Sequence, residues 1–225
     1  MTVAISTMVP ELRVELPGMI EPVLEAAIFR GLRKFFWFSE AWKYTCDNGL
    51  DYTSGQQAMN LPVAGTDIPA KTVLKRVDTV LWDAGGDDWE KRIEFRTRDQ
   101  LDRIDGNWFT TTGSEPKYWT YDNTLPIWYP ISTATVTDGA LLRCVIAPVF
   151  TLVADTLPDL LYYEFEDIFK AGILADLMKM PGKDWSNPEM SVYYAAIYKA
   201  GVDAAKSRAE ADFGQPNRTM AYGGL

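Results

Sequence analysis

The stretch from Thr156 to Asp212 constrains the fold most, because it carries helical periodicity twice with a break between. In its first half Leu161, Phe165, Ile168, Gly172, Ile173, Leu177 and Met180 recur at helical spacing, with Glu164, Asp167, Lys170 and Asp176 among them. In its second half Met190, Tyr193, Tyr194, Ile197, Gly201, Ala204 and Ala205 repeat the pattern. Pro181 and Gly182 stop the first segment, and Asn187 before Pro188 supplies an N-cap and a first-turn proline for the second. An αα-hairpin over 156–212 is expected.

A second helix is expected over 19–45. Pro22 falls in its first turn, where a missing N–H costs nothing. Ile20, Val23, Leu24, Ala27, Ile28, Leu32, Phe35, Phe36 and Trp42 form a wide apolar stripe, flanked by Glu21 and Glu25 early and by Arg30, Arg33 and Lys34 later. That order of charges suits the helix dipole. The block Phe35–Phe36–Trp37–Phe38 is apolar nearly all round, which predicts burial on two sides: one against the hairpin, the other against a sheet or a second subunit. Residues 1–18 alternate at Leu12, Val14 and Leu16 between Pro10 and Pro17, which predicts an extended arm or edge strand.

Between the helical segments, residues 46–155 break into short alternating runs separated by Gly, Pro, Asn, Asp and Thr. The runs 71–82 and 89–97 are joined by a turn-forming stretch, 83–88, and 98–104 has the look of a helical turn. The expected fold class is α+β, with an α-helical core (the long N-terminal helix plus the C-terminal αα-hairpin) and an inserted antiparallel β-domain. Residues 213–225 show no periodicity. They are a fraying end or a docking tail, the latter carried by Arg218, Met220, Tyr222, Gly223, Gly224 and Leu225.

Composition removes whole classes of chemistry. The 225 residues include no histidine, which excludes Ser–His and Cys–His pairs, imidazole metal ligands and an unperturbed acid–base group near neutrality. The net charge of −9 opposes static binding of nucleic acid. No apolar run is long enough to span a membrane and no secretory leader is evident, so a soluble protein with no membrane partner is expected. Cys46 and Cys144 are far apart in sequence and read as reduced structural thiols.

Candidate sites are few. Asp83, Asp87, Asp88 and Glu90 could offer oxygens to Ca²⁺, but their spacing is not that of a Ca²⁺ loop and turns are commonly acidic. Glu164, Glu166 and Asp167 read as a solvated helix flank. Trp82, Trp89, Trp108, Trp119 and Trp128, with Tyr118, Tyr121 and Tyr129, either stack on sugars or fill cores and interfaces. No catalytic, cofactor or metal site is expected.

The hairpin resembles the C-terminal segment of phage head-to-tail adaptor (connector) proteins, including podovirus tail tubular protein A. Leu157–Pro158, Gly172, Leu174, Leu177, Pro181–Gly182–Lys183, Trp185–Ser186–Asn187–Pro188, Tyr193, Tyr198, Gly201 and Arg208 carry the likeness. Glu115–Pro116–Lys117–Tyr118 and Ile127–Trp128–Tyr129–Pro130 extend it into the middle of the chain, so that it spans roughly residues 17–212. The resemblance implies a structural virion protein of the neck. Twelve copies would form a ring beneath the portal protein and above a downstream tail or nozzle protein. Double-stranded DNA would pass through without specific binding, and the C-terminal tail would dock on the portal. The alternative is a carbohydrate-binding or adhesin module using the aromatic-rich middle.

Overall fold

The computed structural model describes residues 1–46, 49–82, 91–122, 125–152 and 154–212. In chain order the elements are β1 (Thr2–Ala4), a 3-10 turn (Ile5–Met8), α1 (Val9–Glu15), α2 (Glu21–Ser39), β2 (Lys43–Thr45), β3 (Leu50–Tyr52), β4 (Thr72–Trp82) and β5 (Lys91–Phe95). There follow α3 (Arg98–Ile104), β6 (Thr112–Gly113), β7 (Tyr118–Asp122), β8 (Leu125–Tyr129), β9 (Ile131–Ser132), β10 (Val136–Pro148), β11 (Thr156–Pro158), α4 (Asp159–Met178) and α5 (Pro188–Asp212). The chain divides into two compact units, one of Met1–Trp42 with the chain from Ala147 onward, the other of Lys43–Ile146.

The expectation of a helical core with an inserted antiparallel β-domain is overturned. The second unit holds a seven-stranded sheet in the order β2–β10–β4–β5–β7–β8, with β3 also on β10, and the sheet is mixed because β5 and β7 run parallel. A parallel pair needs a crossover of a dozen residues or more. Residues 96–117 provide one, opened by α3, whose Thr97 and Gln100 form a reciprocal capping box. Short runs with turn signals between them look like successive hairpins, and that cap was the overlooked sign of a crossover. The first unit, for its part, is not purely helical: β1 pairs antiparallel with β11. Helix and strand therefore do not divide between the units.

The N-terminal segment also departs from expectation. Only Thr2–Ala4 is extended, and Val9–Glu15 is helical with Pro10 in the first turn. Leu12 and Leu16 are buried while Val14 is 80% exposed. Those leucines stand four apart, so the alternation that suggested a strand was one helical face with an exposed residue between. Helix α2 ends at Ser39, short of residue 45, because Glu40 turns into the left-handed region at φ 56°.

In the first unit α4 runs antiparallel to α5, as paired positions show: Ala175 with Ser191, Gly172 with Tyr198, Ile168 with Gly201, and Glu164 with Arg208. A Cβ on Gly172 would sit 2.5 Å from the Tyr198 ring, and one on Gly201 would sit 2.7 Å from Ile168. The two glycines let the helices approach more closely than any larger residue allows. On another face of α4, Phe165 and Phe169 pack against Phe35 at ring separations of 5.0 and 4.9 Å. Phe36 lies 5.6 Å from Phe169 and 5.4 Å from Trp42.

Candidate functional site

The residues singled out from the hairpin motif meet in the α4–α5 turn and seam. Gly172 and Gly201 are the close-approach positions just described. Gly182 adopts φ 70°, which suits glycine. Asn187 caps α5 by accepting from Met190 N–H at 3.2 Å, and its own N–H donates to the Met178 carbonyl at 3.0 Å. Pro188 is the first residue of α5, and Pro181 is exposed in the turn. Trp185 is half-buried with Lys183 Nζ 5.9 Å from its ring centre, and its indole N–H has no partner among the described residues. These roles are architectural. The proposed docking residues Arg218, Met220, Tyr222, Gly223, Gly224 and Leu225 lie outside the described residues, as do Asp83, Asp87, Asp88, Trp89 and Glu90.

Glu164 and Glu166 of α4 are engaged. Glu164 pairs with Arg208, and Glu166 with Lys170 at 2.9 Å, while Lys170 also reaches Glu11 of α1. Burial disfavours the Lys170 ammonium, but hydrogen bonds and charge from Glu11 and Glu166 outweigh it and raise its pKa. No group of three or more His, Cys, Asp or Glu among the described residues could hold a metal ion.

The described tryptophans of the second unit are spent inside it, while Phe95 and Phe109 are half exposed. Trp82, Trp119 and Trp128 are at most 3% exposed and Trp108 is 6% exposed. Tyr52, Trp82 and Trp128 form a mutual edge-to-face cluster with centroids 5.3–5.5 Å apart. Leu101, Trp108, Ile127 and Tyr129 make a second cluster. Beside it Asp105 accepts from Thr111 at 2.7 Å, Asn107 N–H at 2.9 Å and Tyr129 at 3.1 Å, and these donors hold its carboxyl below the ordinary range. Trp119, one of the rings offered for sugar stacking, presents no stacking face. Cys46 and Cys144 are both free and buried, and the hydrogen bond between the two thiols, helped by burial, pushes the Cys144 pKa up.

The first unit leaves large apolar side chains outside. Trp37 and Phe38 on α2 are 39% and 57% exposed, although Phe35 and Phe36 beside them are wholly buried. The side of that block expected to meet the hairpin is buried against Phe165 and Phe169, while Trp37 and Phe38 are exposed on the single chain. Leu160 and Tyr163 on α4 and Val192, Tyr193 and Ile197 on α5 are exposed as well. Adjoining exposed apolar groups mark interaction surfaces, and Trp37 and Phe38 adjoin on α2. The signal for them was in the sequence, since the stripes on 19–45 and 188–212 are wider than one neighbouring helix can cover. No helix among the described residues is long and apolar enough to cross a membrane. Compared with protein-family models and with curated proteins, the chain matches none.

Proposed function

We propose that this chain is a structural head-to-tail adaptor with no catalytic role. Copies assemble into a ring, twelve by the resemblance, beneath a portal protein, joining a viral capsid to its tail and leaving a passage for double-stranded DNA. The carrying observation is the set of large apolar side chains left exposed on α2, α4 and α5 of one unit. An enzyme of this size would concentrate perturbed ionisable groups in a cleft. Here Glu164, Glu166 and Lys170 are committed to ion pairs, and the exposed apolar chemistry is that of assembly. The strong negative charge fits a wall past which DNA slides without sticking.

Light scattering on the purified protein, alone and mixed with a candidate portal, tests the reading. The expected result is a ring of discrete mass that binds portal, with binding lost when residues 213–225 are deleted. Monomers that ignore portal would remove the proposal. A truncated chain that docks at full strength would leave the ring and discard the tail's part in it.

A further inference from the structure

The exposed stripe on α2 and a groove on another face of the same unit are complementary. Arg30, Arg33, Lys34, Trp37 and Phe38 follow the spacing i, i+3, i+4, i+7, i+8, so one face of α2 carries three cations and two aromatic rings. Lys34 is shared with Asp176 at 3.5 Å and lies over the Tyr198 ring. Arg30 and Arg33 are exposed and have no ion-pair partner among the described residues. This basic, aromatic stripe stands out on a chain of net charge −9.

The groove has about 320 Å³ of space and is lined by α1, α4 and α5. Its charged rim is Glu11, Glu15 and Asp167 against Lys170, and its floor includes Leu174, Tyr194 and Ile197. Glu11 is taken by Lys170, but Glu15 and Asp167 are exposed with no ion-pair partner among the described residues. The rim is therefore net negative over an apolar floor, the reverse of the stripe.

Geometry prevents one chain from joining the two to each other. At 3.6 residues per turn, the α4 positions that meet α2 (165, 169, 173) and those that line the groove (167, 170, 171, 174) fall on opposite faces of the helix. On α2, Arg30, Arg33 and Trp37 lie about 100° or more round the helix from Gly31 and Phe35, which face α4, while Lys34 at the stripe's edge reaches Asp176 of α4 and Tyr198 of α5. The outward part of the stripe and the groove therefore lie on different faces of a single unit.

We infer that the stripe of one copy docks in the groove of the next, with Arg30 and Arg33 meeting Glu15 and Asp167 and the aromatic rings of Trp37 and Phe38 covering Tyr194 and Ile197. A helix laid into an acidic-rimmed apolar groove is a recurring mode of recognition. Because the two surfaces differ, the contact is heterologous: repeated copies close into a ring if the rotation permits and extend as a filament otherwise. The inference rests on the ring reading above and names its interface.

Reciprocal charge exchange tests it. One variant carries Arg30→Glu and Arg33→Glu, the other Glu15→Lys and Asp167→Lys, and sedimentation velocity follows each over a concentration series. All four positions are exposed, and thermal melts check that both variants fold. Wild type should assemble, each variant alone should associate roughly a hundredfold more weakly or worse, and an equimolar mixture should restore assembly. Restoration also proves that neither variant is misfolded. If wild type forms rings and both variants do too, this interface is wrong while the ring stands. Wild type that stays monomeric at every concentration overturns this interface, and the ring reading is then decided by the mixture with portal.

Discussion

The two units place their tryptophans differently. Around the sheet, every described tryptophan is buried and the rings pack on one another at edge-to-face distances, with Phe95 and Phe109 half exposed. In the helical unit Phe35, Phe36 and Phe169 fill the seam between α2 and α4, but Trp37, Phe38, Tyr163 and Tyr193 stay outside. Aromatic content alone therefore says little about function. Placement says more, because a ring that completes a core has no surface left to offer a partner. The sharpest way to break the contrast is in the sheet. Trp128→Ala removes a ring held between Tyr52 and Trp82 and should cost about 3–5 kcal/mol, read by denaturant unfolding. A loss below about 1 kcal/mol would put Trp128 on the surface and revive the sugar-stacking reading.

A smaller loss is expected at the helical seam. Gly172→Leu gains about 1 kcal/mol of helix propensity but drives carbon into the Tyr198 ring, and overpacking typically costs about 1–3 kcal/mol. The net effect should be destabilising, with a lowered Tm, and Tyr198→Ala in the same chain should recover part of it by opening space. If Gly172→Leu melts higher than wild type, the close approach of α4 and α5 is mistaken.

The same seam should respond to alkali. Burial, aided by the charge of Asp176, pushes the Tyr198 phenol up to about 12, and burial with the neighbouring charge of Glu166 does the same for Tyr162. A group whose folded pKa exceeds its unfolded value of 10.0 contributes its full stability below pH 10. That contribution drains away as the pH rises from 10 toward about 12, when unfolded chains lose the proton and folded ones keep it. Stability measured against pH should fall over this window, and Tyr198→Phe should flatten the fall. Since the Tyr198 hydroxyl has no partner among the described residues, the substitution should cost little at neutral pH.

How much of this was legible in the sequence follows from the range of the interactions. The α4–α5 pair is local: periodicity, Asn187 as cap and Pro188 at the first position announce it within a few dozen residues. Even the glycines carried a readable sign, since Gly172 and Gly201 interrupt otherwise good helix formers. The sheet is not local. Pairing Glu94 with Tyr118 across a crossover, or Cys144 with Tyr44 across most of the second unit, depends on contacts no short window records. The N-terminal segment failed for a different reason, because Leu12 and Leu16 satisfy both a period of two and a step of four, and only the exposure of Val14 decides between them. Of the candidate interface, the cations and rings of α2 were visible as residue types, but the break between Phe36 and Trp37 was not. It takes the position of α4 to say which aromatics in a run of four are core.

The smallest effect predicted is the most telling for the contrast. Phe38→Ser exchanges an apolar ring already 57% exposed for a small polar side chain at a helical site. Little burial is lost, so unfolding free energy should change by no more than about 0.5 kcal/mol. Self-association, by comparison, should weaken measurably if that ring is desolvated against a neighbouring copy. Trp119→Ser in the sheet should do the reverse, lowering stability heavily while leaving the association of whatever remains folded unchanged. Measuring both quantities on both variants makes a two-by-two comparison in which each unit serves as the control for the other. A Phe38→Ser chain that unfolds early would mean the α2 stripe belongs to the core. One that is stable and still assembles at full strength would move the interface to the exposed rings of α4 and α5, where Tyr163 and Tyr193 are next in line for the same test.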